Sequence, residues 1–178
     1  MYSATLRTLK TATWVTATGI LCLIVSGCAQ QNQPVSEADA CQALNHVIGQ
    51  APSGFKSLRG ASTADYDHIR WDAKPILPGT ECDIGEWAGG RVNYGCTWDQ
   101  GNQATAKANY DQGLALVSQC VGAGWTVSEP AGNTGKATRF SRPNSPTTVE
   151  VRYYRERPPS TNWQTSLTVG PPITRDAR

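Results

Sequence analysis

The chain has 178 residues, with 16 Lys and Arg against 14 Asp and Glu and a formal charge of +2. So even a balance argues against nucleic acid as a partner, because phosphate binding depends on clustered positive charge. The length is that of a single-core domain, and the apolar run near its start falls short of the roughly 20 apolar residues that a membrane-spanning helix needs.

That run opens the chain. Arg7 and Lys10 are followed by a stretch from Thr11 to Val25 with no charge, about 15 residues long and diluted by Thr11, Thr13, Thr16 and Thr18. A basic segment followed by a short apolar one is a secretory signal. It ends in Val25-Ser26-Gly27-Cys28, ahead of the polar "AQQNQP".

An aliphatic residue, two small residues and a cysteine resemble the lipobox of bacterial lipoproteins. The resemblance implies a diacylglyceryl group on the Cys28 thiol, cleavage before it, and acylation of the new amino terminus. Val25 stands where Leu is commoner. Cys22 does not fit, since Ile20 and Leu21 precede it. Acyl chains stabilise membrane association by about 0.8 kcal/mol per buried CH₂, so two or three of them hold a protein almost permanently. The membrane, through lipid on Cys28, is therefore an expected partner. In a Gram-negative host, Ala29 after the cysteine, rather than Asp, resembles the signal for sorting to the outer membrane, where the domain would face the periplasm.

The organisation expected is a signal over 1–27, a lipidated tether over 28–36, one domain over 37–170 and a tail over 171–178. Loss of Arg7 and Lys10 with the signal would leave 14 basic side chains against 14 acidic ones. Acids predominate from Asp65 to Asp99 and bases from Lys136 to Arg157, two regions that can pair on a folded surface or steer an acidic partner.

Ser36, with Glu37 and Asp39 behind it, predicts a helix start. Cys41, Leu44, Val47 and Ile48 follow at helical spacing until Gly49 and Pro52. "GFKSLRG", from Gly54 to Gly60, reads as a short strand, and Ala61 to Gly79 as a loop apart from "HIRW", because Pro75, Pro78 and Gly79 break regular patterns. Next, "TECDIGEWAGGRVNYGCTWD" alternates on both sides of Ala88-Gly89-Gly90, the strongest hairpin signal in the chain. A turn centred on Gly89 sets Cys82 opposite Cys96. A second helix is predicted from about Gln103 to Val121, with a stripe of Ala106, Tyr110, Leu114, Val117 and Val121. Strands follow over 125–128, 136–142, 147–155 and 162–169. In the third, Val149, Val151 and Tyr153 alternate with Glu150, Arg152 and Tyr154; in the last, Trp163, Thr165, Leu167 and Val169 share a side.

Helix, hairpin, helix and meander predict an α+β fold, an antiparallel sheet with two helices packed on one face. Cys41, Cys82, Cys96 and Cys120 have no C-x-x-C spacing, and an even set in an exported chain predicts two disulfides rather than a metal site. Antiparallel helices favour Cys41 with Cys120 and Cys82 with Cys96; the rival pairing is Cys41 with Cys82 and Cys96 with Cys120.

Signatures of catalysis are missing. His46 and His68 belong to no H-E-x-x-H pattern, and there is no G-x-S-x-G elbow or phosphate-binding glycine loop. "DYDHIRWD" lacks the rhythm of a calcium loop. No catalytic residue, metal or cofactor is assigned, and the chain is not expected to be an enzyme. Tryptophan is the remaining currency of recognition. Trp98, Trp125 and Trp163 fall at core positions, whereas Trp71 in the loop and Trp87 at the hairpin tip are expected to be exposed. With Arg152 and Tyr154 on the wet face of their strand, these form the expected contact surface. The function expected is a cell-envelope binding or structural module for an envelope protein or glycan. The alternative is a periplasmic inhibitor or immunity protein against a cell-wall hydrolase or toxin.

Overall fold

The computed structural model describes residues 37–64, 68–87, 89–131 and 134–172. The signal, Cys28, the tether, Ser36 and the tail beyond Pro172 lie outside them. Helix α1 (Glu37–Gln50) is followed by two 3-10 turns (Ala51–Ser53 and Lys56–Leu58) and four strands: β1 (Ser62–Ala64), β2 (Ile69–Ala73), β3 (Thr80–Trp87) and β4 (Arg91–Trp98). Helix α2 (Gln103–Val121) then leads to β5 (Thr126–Ser128), β6 (Lys136–Ser141), β7 (Thr148–Arg155) and β8 (Trp163–Gly170).

All eight strands form one antiparallel sheet in the order β1-β2-β3-β4-β8-β7-β6-β5. The sheet is larger than the sequence predicts. Ala61–Gly79 supplies β1 and β2 instead of a loop, because β3 offers β2 a free ladder from Ile69↔Glu86 to Ala73↔Cys82. "GFKSLRG", by contrast, is not a strand. Gly54 and Phe55 adopt φ of 65° and 57°, left-handed values that break extended backbone and swing the fully buried Phe55 into the core against Tyr94.

One side of the sheet carries Ile84, Tyr94, Cys96, Trp98, Val149, Val151, Leu167 and Val169, all buried. Helix α2 packs there on β7 and β8. Its buried Gly113 permits the approach, since a Cβ at that position would lie 3.0 Å from the Trp98 ring. Hydroxyls caught beneath the helix are satisfied: Thr165 donates to the Ala106 carbonyl at 2.7 Å, and the Tyr110 and Thr138 hydroxyls meet at 2.6 Å. Asn102 caps α2 by accepting from the Thr105 amide at 2.9 Å. Helix α1 packs mainly on α2 and buries Ala40, Leu44, Val47 and Ile48. Trp98 is buried as expected, but Trp125 and Trp163 are only half-buried at the core's margin.

The disulfides are Cys41–Cys120, between the helices, and Cys82–Cys96, across the hairpin. The second joins directly opposed residues whose Cα atoms are 4.1 Å apart, nearer the narrow than the wide pair spacing of an antiparallel ladder. The sequence separations of 79 and 14 correspond to about 4.5 and 3 kcal/mol of lost unfolded-state entropy.

Tyr94 gives the core a handle on alkaline stability. It is 1 % exposed, its hydroxyl donates to the Lys74 carbonyl, and burial, followed by the nearby Asp83 carboxylate, pushes its pKa from 10.0 up to about 12. The folded phenol keeps its proton where the unfolded one releases it, so its stabilisation is complete below pH 10 and is lost on rising towards pH 12. Urea unfolding followed from pH 9 to 11 is expected to show stability falling above pH 10. Tyr94→Phe should be less stable at pH 8 by about 1 kcal/mol, for the lost hydrogen bond, and should fall less steeply above pH 10.

Candidate functional site

The other side of the sheet is polar, and strand register arranges it in rows. One row runs Asp83, Gly95, Thr168, Glu150 and Arg139 across β3, β4, β8, β7 and β6. The next runs Glu81, Thr97, Ser166 and Arg152. These positions alternate with the core residues, so the pleat turns them away from the helices.

Two interior strand glycines, Gly85 on β3 and Gly95 on β4, leave that face without side chains near its middle. Around them lies a cavity of about 270 Å³ whose floor includes Thr97, Ser166 and Thr168. Its β3 wall is aromatic. Trp87, 46 % exposed, folds back so that its Nε1 would lie 3.3 Å from a Cβ on Gly85, and the His68 ring stacks on it at 5.0 Å and 15°. Arg70 beside it forms an ion pair with Asp83.

The β7 wall is cationic. Arg152 lies over the Tyr154 ring at 4.5 Å, and its Nε donates to the Ser166 hydroxyl at 3.1 Å. Tyr154 donates to Gln164 Oε1 at 2.6 Å; burial, and then Glu156, hold its pKa above the usual tyrosine value. The neighbouring acids have partners of their own. Glu150 accepts two hydrogen bonds from Arg139 at 2.6 and 2.9 Å, and Glu156 accepts from Ser160 at 2.7 Å and Gln100 at 2.5 Å. Among the described residues, no carboxylate lies within ion-pair distance of Arg152.

Of the four residues predicted as a contact surface, Trp87, Arg152 and Tyr154 therefore line one groove. Trp71 does not. It is opposite Ile84 in the ladder, on the core side, half-buried under the Arg59 guanidinium 3.7 Å from its ring. Alternation along β2 put it there, since Arg70 and Trp71 must point to opposite faces. Sequence reasoning passed over His68, Arg70 and Ser166, and also Gly85 and Gly95, though glycine inside two adjacent alternating strands is a legible sign of an open or closely approached face.

A second cavity of about 380 Å³ lies between α1, the Lys56–Leu58 turn and the β2–β3 connection. Its lining is mostly apolar, with His46 and Lys74 at its polar margin. Among the described residues, no three His, Cys, Asp or Glu side chains converge to hold a metal ion, and no helix is long and apolar enough to cross a membrane.

No protein-family model, curated protein or solved structure matches the chain. The groove's chemistry is accordingly built from its own residues: an aromatic wall, a floor of hydroxyls and a guanidinium braced by a ring and a serine.

The open floor is testable by filling it. A Cβ on Gly95 would meet only the tip of the Asp83 carboxylate, at 3.3 Å, and the backbone there needs no left-handed angle. Interior strand glycine costs about 0.5–1 kcal/mol relative to alanine. Gly95→Ala is expected to leave urea-unfolding stability unchanged or raise it by up to about 1 kcal/mol; a loss above about 1 kcal/mol would show that the floor is packed rather than open.

Proposed function

We propose that this protein is a cell-envelope lipoprotein, anchored through lipid on Cys28, that acts as a binding module and presents the open face of its sheet to a partner. In this reading the two helices form a layer on the core face alone, which leaves the opposite face free for recognition. The observation that carries the reading is the convergence of Trp87, Arg152 and Tyr154 on one polar-aromatic depression. Two disulfides, in an exported and hence oxidising setting, suit the same address. Binding is preferred to turnover because the Ser166 hydroxyl accepts from Arg152, an arrangement that does not activate it as a nucleophile.

Exposure of Trp87 at the end of β3 favours a second reading, an inhibitor or immunity protein that meets a hydrolase or toxin with its hairpin end. The two readings differ in what they would capture: integral envelope components or glycan for the first, one soluble lytic enzyme or toxin for the second.

The anchor is checked by metabolic labelling with palmitate. Label is expected on the wild-type chain and absent from Cys28→Ala, which should accumulate as a longer precursor; label surviving the substitution would refute the lipobox. The face is checked by capture from solubilised envelope, with the full-length protein in detergent as bait. Trp87→Ala should reduce recovery of the partner at least tenfold, as expected of an aromatic anchor worth about 2 kcal/mol. Undiminished recovery would move the contact away from the groove.

A further inference from the structure

Four properties of the groove restrict what it can hold. It lies over β2, β3, β4, β8 and β7, all interior strands, so the main-chain donors and acceptors beneath it serve the ladder. An extended peptide recognised through its backbone needs a sheet edge and finds none here. The floor instead offers the hydroxyls of Thr97, Ser166 and Thr168, which suit a ligand rich in hydroxyls of its own. Trp87 supplies an aromatic surface of the kind that packs against a sugar ring.

The fourth property is charge. Arg152 is held from two sides, by the Tyr154 ring and by Ser166, while the acids around it are occupied by Arg139, Ser160 and Gln100. A planar guanidinium braced in this way presents its remaining N–H edge as a ready fork for one carboxylate, with little ordering left to do on binding. A polyanion suits the site less well, because Arg70 is already neutralised by Asp83 within the same cavity.

We propose that the groove binds a saccharide bearing a carboxylate, with the acid on Arg152 and the ring against Trp87. This rests on the open face being the binding surface, and it names the ligand class. Such a sugar has two sources in an envelope, a lactyl-substituted sugar of the wall glycan and a uronate of a surface polysaccharide.

The test uses the full-length protein in detergent with three probes: a disaccharide containing N-acetylmuramic acid, a uronate disaccharide, and a neutral N-acetylglucosamine disaccharide. Calorimetry, with tryptophan fluorescence as a second readout, is expected to find at least one acidic sugar binding about 10- to 100-fold more tightly than the neutral one and than its own methyl ester, the range of a charge-assisted hydrogen bond. Which acid binds identifies the source. Arg152→Gln should abolish the preference for acid over ester while near-UV circular dichroism stays native. Arg152→Lys, which keeps the charge but loses the fork, should retain only part of it. Equal binding of acid and ester, or no binding by any sugar, would overturn the inference. If Trp87→Ala still lost an envelope partner, the open face would stand as a binding surface and only the ligand class would fail. A partner indifferent to both Trp87→Ala and Arg152→Gln would remove the surface itself.

Discussion

The last strand holds the sheet together. β8 lies between β4 and β7, and without it the sheet falls into two pieces, β1 to β4 on one side and β5 to β7 on the other. Leu167 and Val169 on β8 are fully buried between Tyr94 and Cys96 on one flank and Val149 and Val151 on the other. The Thr165 hydroxyl fastens the same strand to the α2 carbonyl of Ala106. One partner of β8, the preceding β7, is close in sequence, but the other, β4, lies about 70 residues back, and pairing that non-local slows folding. The hairpins β3–β4, closed by its own disulfide, and β7–β8 are local, and it is the β4–β8 ladder that joins them into one sheet.

The same insertion builds the groove. Trp87 lies at the end of β3 and Arg152 in β7, and it is the pair β4–β8 between them that sets the width of the floor at three strand spacings, about 14 Å. Pleating separates two chemistries along every central strand. On β8, Thr165, Leu167 and Val169 stabilise the core, whereas Ser166 and Thr168 face the cavity. A one-residue slip of β8 would exchange these sets, so the burial of Leu167 and Val169 is also what keeps Ser166 under Arg152.

Much of the fold was legible because it is periodic. The Gly89-Gly90 hairpin, the alternation of β7 and β8, the span of α2 and both disulfide pairings follow from local pattern or from simple geometry. What escaped was long-range or conformational. Nothing in the period of β8 says that it enters between β4 and β7. β1 and β2, short and without a clean alternation, become strands because β3 offers β2 a ladder and β2 in turn offers one to β1. Phe55 belongs to a short stretch, "GFKSLRG", that reads as extended until its positive φ is known. The groove was half-visible for the same reason. Alternation put Arg152 and Tyr154 on the wet face, but their meeting with Trp87 depends on strand order, and the misplacement of Trp71 came from reading β2 as a loop.

The ends of the sheet are its shortest strands. β1 and β5 have three residues each, and β5 exposes a single large apolar side chain, Val127, at 56 %. A broad eight-stranded sheet would otherwise present two long ribbons of unpaired amides and carbonyls to its neighbours. Three residues give a passing strand little to grip. Molecules built this way can be crowded side by side, as tethering to a surface would crowd them, without zipping edge to edge into aggregates.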